Sequence, residues 1–260
     1  MLTVEKKDGI ARVTLDRPDL RNAFDDELIA ALTKAFEQVG ADADVRVMIL
    51  GGHGPAFCAG ADLNWMKRMA KYGYDENLAD AEALALMLAT LDRLPKPTIA
   101  RVHGPVFAGG TGLVAACDIA VGTPQAKFCL SEAKLGLSPA TISPYVIRSM
   151  GEREARRYFL TAEVFDAAEA FRIGLLSLLV SPSELDSSID GLITHLMAGG
   201  PQAHRKIKEL IRAVAGRPVD DALAADTAKR IAEIRVSPEG REGIASFLEK
   251  RKAAWCSKKS

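Results

Sequence analysis

The 260-residue chain reads as an α/β protein in which strand–helix units wind through roughly the first 180 residues, followed by an all-helical region. Three observations predict this. Between residues 10 and 50 the pattern runs strand, helix, strand, which implies a right-handed crossover and parallel pairing. At the centre, an apolar run, Thr98–Val102, ends in a glycine-rich turn, Gly104–Gly112, that feeds a small-residue helix, Gly112–Cys117, and a second apolar run, Asp118–Val121. From Pro182 onward the apolar spacing is helical throughout.

In chain order, the N-terminus runs straight into a strand pattern, and Ile10–Leu15 alternates with Ala11, Val13 and Leu15 on one face. A polar loop, Asp16–Ala23, leads to Asp25 or Asp26 as cap of a helix carrying Leu28, Leu32, Phe36 and Val39, which Gly40 closes. Val45–Leu50 is the next strand. Small residues follow at Cys58–Ala61, where the backbone can come close to another helix or to a ligand, and Asp62 or Asn64 can start a short helix. A polar segment with Tyr72, Tyr74, Asp75 and Glu76 precedes a helix over 77–94 showing Leu84, Leu86, Met87 and Leu91, stopped by Pro95 and Pro97. Beyond the centre the spacing predicts helices at Tyr145–Met150, Glu152–Thr161 and Phe165–Gly174, the last with a glycine C-cap, and a strand at Leu176–Val180. Four helices close the chain: Leu185–Met197, Pro201–Val214, Ala222–Arg235 and Glu239–Trp255.

Composition narrows the function classes. The chain is 48% hydrophobic and 26% charged, ordinary for a globular protein. Lys+Arg and Asp+Glu both number 34, so no overall field recruits nucleic acid or an anionic membrane. No apolar stretch reaches the ~18 residues of a membrane span. Cys58, Cys117, Cys129 and Cys256 show no metal spacing, and with no signal peptide ahead of them they are expected to be reduced thiols of a cytoplasmic protein.

Two features bear on chemistry. Glycines at a strand-to-helix switch leave backbone N–H groups uncovered where a helix's first turn already has unpaired donors, and such donors can hold charge developing on a carbonyl oxygen. Turn geometry or close packing explains the same glycines. The segment Leu130–Pro139 places one carboxylate, Glu132, between Leu130 and Leu135, where burial raises a carboxyl pKa toward the working range of an acid–base group. A solvated turn residue or helix cap would look the same.

Taken together, the following residues resemble the enoyl-CoA hydratase/isomerase (crotonase) superfamily over nearly the whole chain: Leu15–Pro18 with Arg21–Ala23, Phe57–Leu63, Lys96–Ala100 with Gly104 and Gly109–Gly110, Ala116–Ile119, Ser131–Glu132 with Lys134–Gly136, and Glu242–Gly243 with Phe247 and Lys250–Arg251. The local wording Asp62–Lys67 and Leu137–Tyr145 is most similar to bacterial methylglutaconyl-CoA and related branched enoyl-CoA hydratases of leucine and isoprenoid breakdown. The resemblance implies a crotonase-like ββα spiral over 1–196 and a C-terminal helical oligomerisation region over 197–260, forming a homotrimer or a dimer of trimers. It implies an acyl-CoA thioester substrate, with coenzyme A part of that substrate and no separate cofactor or metal. It puts the two oxyanion-hole N–H donors on Ala61 and Gly109 and the catalytic glutamate on Glu132. Ala59, Ala61, Asp62, Leu63 and Asn64 would line the adenine and pantetheine path, with Arg21, Ala23, Gly109 and Gly112 also at the substrate, and Lys250 near the CoA phosphates of a neighbouring subunit.

One departure matters. The hydratases commonly carry a second glutamate at the position of Gly112, and Ala140 and Ser143 stand where glycines are usual. Glu132 could serve both proton transfers, or Asp75, Glu76, Tyr72 or Tyr74 could complete the site. Alternatively the enzyme could be a Δ3–Δ2 enoyl-CoA isomerase, for which one carboxylate suffices. A glycine at 112 is expected to open space for a branched acyl chain. Trp65, Met66 and Met69 could floor that pocket. His53, His103, Cys58 and Cys117 read as structural residues, and the basic residues Lys250–Lys252, Lys258 and Lys259 as a solvated face. An acyl-CoA-binding protein without catalysis is the third reading; RNA binding lacks the basic stripe with interleaved aromatics that it needs.

Overall fold

The computed structural model describes residues 1–256. Its contacts divide into two units, Met1–Leu94 with Thr98–Gly191, and Pro95–Pro97 with the chain from Leu192 onward.

The first unit opens on a hairpin, β1 (Leu2–Lys7) and β2 (Ile10–Leu15), turned by Asp8 and Gly9 at φ 51° and 80°. Asp-Gly suits the two positive φ values that let a two-residue turn follow the twist of its strands. Ala11, Val13 and Leu15 are fully buried, as the alternation requires. The Asp25 carboxylate caps α1 (Asp26–Ala41) by accepting from Leu28 N–H at 2.8 Å, and β3 (Val47–Gly52) returns parallel to β2. Helix α1 runs past Gly40 and ends at Asp42, because Gly40 keeps a negative φ and Asp42 turns extended. Next come α2 (Leu63–Met69), α3 (Tyr74–Asp92), β4 (Thr98–Val102), β5 (Pro105–Phe107), α4 (Gly109–Ala116), β6 (Ile119–Gly122) and β7 (Lys127–Cys129). A 3-10 turn at Ser131–Leu135 leads to α5 (Ser143–Thr161), β8 (Phe165–Asp166), α6 (Ala167–Arg172), β9 (Leu178–Leu179) and α7 (Leu185–Ala198).

The strands form two sheets, a six-stranded one in the order β1-β2-β3-β4-β6-β9 and a three-stranded one in the order β5-β7-β8. Each winding contributes a strand to the large sheet, then a short strand or bridge to the small layer, then a helix: β4, β5, α4 and then β6, β7, α5. The earlier windings use single bridges in place of the short strand, Phe24 to Ala61 and Cys58 to Val106. That is the expected ββα spiral.

Several local expectations change in tertiary context. Helix α3 starts at Tyr74 and turns Leu86 to solvent, burying Met87, Leu88 and Leu91. Helix α4 starts three residues early, at Gly109. Phe165 belongs to a strand, since it pairs with Phe128 of β7 and stacks on its ring at 5.5 Å. The two helices expected over 145–161 run on as α5 with a break at Gly151, whose φ is 79°.

In the second unit α8 (Pro201–Val214), α9 (Asp221–Val236) and α10 (Pro238–Leu248) follow, with proline in the first turn of α8 and of α10. The Glu239 carboxylate accepts from Gln202 and Ala203 N–H, at 3.0 and 2.7 Å, satisfying the start of α8. Helix α10 stops at Leu248, short of the expected Trp255, because Lys250 takes φ 53° and Arg251 N–H returns to Ser246 C=O. Arg251 then holds Glu242 by two bonds of 2.6 and 2.8 Å.

Candidate active site

The first wall is built from residues 57–64 laced to residues 21–24. Asn22 is fully buried, donates to His53 C=O and Ala56 C=O and accepts from Arg17 N–H. With that loop fixed, Ala59 N–H bonds Arg21 C=O at 3.0 Å, Phe24 N–H bonds Gly60 C=O at 2.7 Å and Asp62 N–H bonds Phe24 C=O at 2.7 Å. In this parallel bridge Phe24 lends both its N–H and its C=O, to Gly60 and Asp62 on either side of Ala61, so the Ala61 N–H enters none of these bonds. The Asp62 carboxylate accepts from Asn64 and Trp65 N–H and so caps α2, while Leu63 points outward, 72% exposed.

The second wall is the turn into α4. Phe107 N–H bonds Cys58 C=O at 2.9 Å, and a Cβ on Gly60 would stand 3.4 Å from Ala108 Cβ, so residues 58–60 run directly against 107–108. Ala108 sits at φ 48°, ψ −117°, a strained position for a residue with a side chain, held by its N–H on Cys129 C=O at 2.8 Å. Gly109 and Gly110 then start α4 in very close quarters: their absent Cβ atoms would lie 2.7 Å from the Phe24 ring and 2.6 Å from Cys58 C=O. As the first residue of α4, Gly109 presents an N–H with no acceptor in its own helix.

Gly112 is one turn further on, and here the expectation of open space fails. It is buried, and a Cβ there would overlap Ile142 Cγ2 and lie 2.9 Å from Ile142 Cβ and 3.6 Å from Leu88 Cδ2. The room left by the missing side chain is taken by Ile142.

Glu132 lies half-buried in the 3-10 turn after β7. Its Oε2 is shielded from solvent and has no hydrogen-bond partner among the described residues. Burial pushes its carboxyl above the ordinary glutamate value, and the opposing pull of its own backbone N–H is smaller. An unpaired buried carboxylate oxygen is a costly feature for a structural residue and a useful one for proton transfer.

The remaining candidates take plainer roles. Arg21 is exposed in the left-handed region at φ 49°, and Ala23 is buried with its carbonyl accepting from Arg17. Glu76 caps α3 through Gly73 N–H, Tyr74 is 80% exposed, Asp75 is exposed and Tyr72 is half-buried. Trp65 is buried and donates to Asp80. His53 pairs with Asp16 and His103 bonds Gly54 C=O. Lys250 is exposed in the second unit, and Lys258 and Lys259 lie outside the described residues. Asn22 is the residue whose role sequence reasoning missed; its place between Arg21 and Ala23 in a polar loop was the available signal.

A family model described as enoyl-CoA hydratase/isomerase matches residues 5–258. The chain is 34% identical over 251 residues to enoyl-CoA hydratase EchA19 of Mycobacterium tuberculosis, covering 95% of this chain and 93% of that one. It is 29% identical over 259 residues to the crotonyl-CoA hydratase of Syntrophomonas wolfei, covering 99% and 98%. The crystal structure of an enoyl-CoA hydratase from Shewanella pealeana superimposes with a TM-score of 0.96 at 42% identity, over 98% of this chain and 95% of that one.

Proposed function

This chain belongs to the enoyl-CoA hydratase/isomerase family and has the crotonase fold, and on that premise we propose that it adds water across the double bond of a 2-enoyl-CoA thioester. Glu132 is the acid–base group, and the backbone N–H groups of Ala61 and Gly109 are the donors to the thioester oxygen. The observation that carries this reading is the buried, unpartnered Oε2 of Glu132.

The chemistry follows from where charge develops. Water attacks C3 and gives up a proton to Glu132, the double-bond electrons move onto the thioester carbonyl oxygen as an enolate, and the proton is then delivered from Glu132 to C2. Two fixed N–H donors at that oxygen stabilise the enolate-like transition state, one such donor being worth ~3 kcal/mol. A carboxyl held above its ordinary pKa is the stronger base toward the water proton at the first step, and it keeps that proton until C2 takes it at the second. Ile142 over Gly112 supports a site with a single carboxylate, and that favours a second reading, Δ3–Δ2 isomerisation, in which Glu132 takes a proton from C2 and returns it to C4.

The finer substrate assignment, a branched enoyl-CoA such as 3-methylglutaconyl-CoA, rests on the local wording at Asp62–Lys67 and Leu137–Tyr145, because the space at Gly112 is filled. Assembly as a trimer or dimer of trimers through residues 197–260 belongs to the same proposal, as does a cytoplasmic setting. Exposed Ile244, Phe247 and Leu248 on α10 support the assembly.

Spectrophotometry tests the reaction. Loss of the conjugated thioester's ultraviolet absorbance from a 2-enoyl-CoA means hydration, and its appearance from a 3-enoyl-CoA means isomerisation. Glu132→Gln should lower either rate by about 10²–10⁴-fold. Tight acyl-CoA binding with neither change would overturn the enzymatic reading.

A further inference from the structure

We propose that Ile142, seated on the bare backbone of Gly112, is a positioning residue for Glu132: it fixes the far end of the segment that carries the carboxylate and references it to helix α4. This rests on the reading of Glu132 given above.

The segment 131–142 is held at its margins and at the buried Pro139. Leu130 before it is fully buried and Ile142 at its end is 2% exposed, whereas residues 133–138 are all exposed, Leu135 and Leu137 among them. Its backbone bonds are internal: Leu137 N–H to Glu132 C=O at 3.0 Å, Gly136 N–H to Ala133 C=O at 3.2 Å and Ser143 N–H to Pro139 C=O at 2.9 Å. Such bonds stiffen the segment without placing it. Placement comes from packing: Pro139 is buried, and Ile142 enters the gap that Gly112 leaves beside Leu88.

Gly112 lies one helical turn after Gly109, on the same helix. The contact therefore sets the distance between the proton-transfer group and the backbone donor at the start of α4. Catalytic groups tolerate only about 0.5 Å of play, and a misplacement of about 1 Å can cost ~10²-fold in rate. Cys129 at the end of β7 is the thiol that feels the Glu132 charge, and Oε2 has no hydrogen-bond partner among the described residues.

The test compares Ile142→Val, Ile142→Ala, Gly112→Ala and the double variant Gly112→Ala/Ile142→Ala in the full-length protein, with Ile29→Ala on α1 as a control for loss of core volume. Two readouts are used: steady-state kinetics on 3-methylglutaconyl-CoA and crotonyl-CoA, and a ¹³C titration of the Glu132 carboxyl, assigned with Glu132→Gln, which needs no substrate. Ile142→Ala is expected to lower kcat about tenfold or more with KM within about threefold, and to bring the Glu132 pKa down toward the ordinary value as water reaches the freed carboxylate. Ile142→Val should shift both readouts slightly in the same direction, and Ile29→Ala neither. Gly112→Ala should mimic Ile142→Ala by displacing the isoleucine, and the double variant should recover part of kcat, its new methyl filling part of the vacated space. An unchanged Glu132 titration in Ile142→Ala and Ile142→Val overturns the proposal, as do single-variant losses that simply multiply in the double variant. If Glu132→Gln keeps its activity, the functional reading fails and this one with it; an inactive Glu132→Gln beside an unaltered Ile142→Ala removes the positioning role alone.

Discussion

Replacing Asn22 should unlace the wall that carries Ala61. Three hydrogen bonds meet on this side chain: Nδ2 donates to His53 C=O at 2.9 Å and to Ala56 C=O at 2.8 Å, and Oδ1 accepts from Arg17 N–H at 2.8 Å. The residue is fully buried at φ 57°, and Gly52 comes so close that a Cβ there would lie 2.8 Å from Nδ2. In Asn22→Ala, each buried group left without a partner costs about 1–3 kcal/mol, and alanine in the left-handed region adds about 1 more. The partners at His53 and Arg17 are part-buried and water can reach them, so the sum is about 3–6 kcal/mol out of a total stability on the order of 5–15. Asn22→Gly keeps the backbone relaxed and should lose about 1 kcal/mol less than alanine. Asn22→Asp keeps the acceptor for Arg17 but turns a carboxylate oxygen on two carbonyls, so it should be at least as damaging as alanine. Urea denaturation of the four proteins reads the order directly, and kcat/KM should fall with it because Ala59, Gly60 and Asp62 are bonded to the same loop. An alanine variant that loses under about 1 kcal/mol would refute the account.

Three further outcomes are expected. Because burial raises the folded-state carboxyl of Glu132 above 4.5, its neutral form favours folding; that contribution is whole below about 4.5 and fades as pH rises through the folded value. Glu132→Gln should therefore gain stability relative to the parent between pH 4 and 8, and a difference in Tm that stays flat across this range counts against the burial. Gly104→Ala combines φ 58° with a Cβ that would overlap Pro55 C=O, so it should lose about 2–5 kcal/mol in thermal unfolding, and a neutral result would contradict the crossing of these two turns. With a thiol reagent, exposed Cys256 should react first, whereas Cys58, fully buried with its thiol pushed up to about 12 by burial, should react only as the protein unfolds.

Much of the frame could be read from the chain alone, because it depends on neighbours in sequence. Alternation at Ala11, Val13 and Leu15, a cap at Asp25 or Asp26, and the stop at Pro95 and Pro97 are all local choices of the backbone; the structure keeps the alternation and the stop and puts the cap on Asp25. The resemblance carried by Phe57–Leu63, Gly104–Gly110 and Ser131–Glu132 pointed to the family for the same reason, since motif spacing survives without coordinates. What only the tertiary structure decided are relations between residues far apart in the chain. The Ala61 N–H is left out of the backbone bonding by a bridge to Phe24, Gly112 is closed by Ile142 from thirty residues later, and Asn22 spans to Ala56. Helix α4 begins at Gly109, where Phe24 leaves no room for a side chain on Gly109 and Cys58 none on Gly110. The desolvation of Glu132 is of the same kind: a carboxylate's pKa answers to every group that displaces water around it, and those groups are assembled by folding, not by sequence neighbourhood.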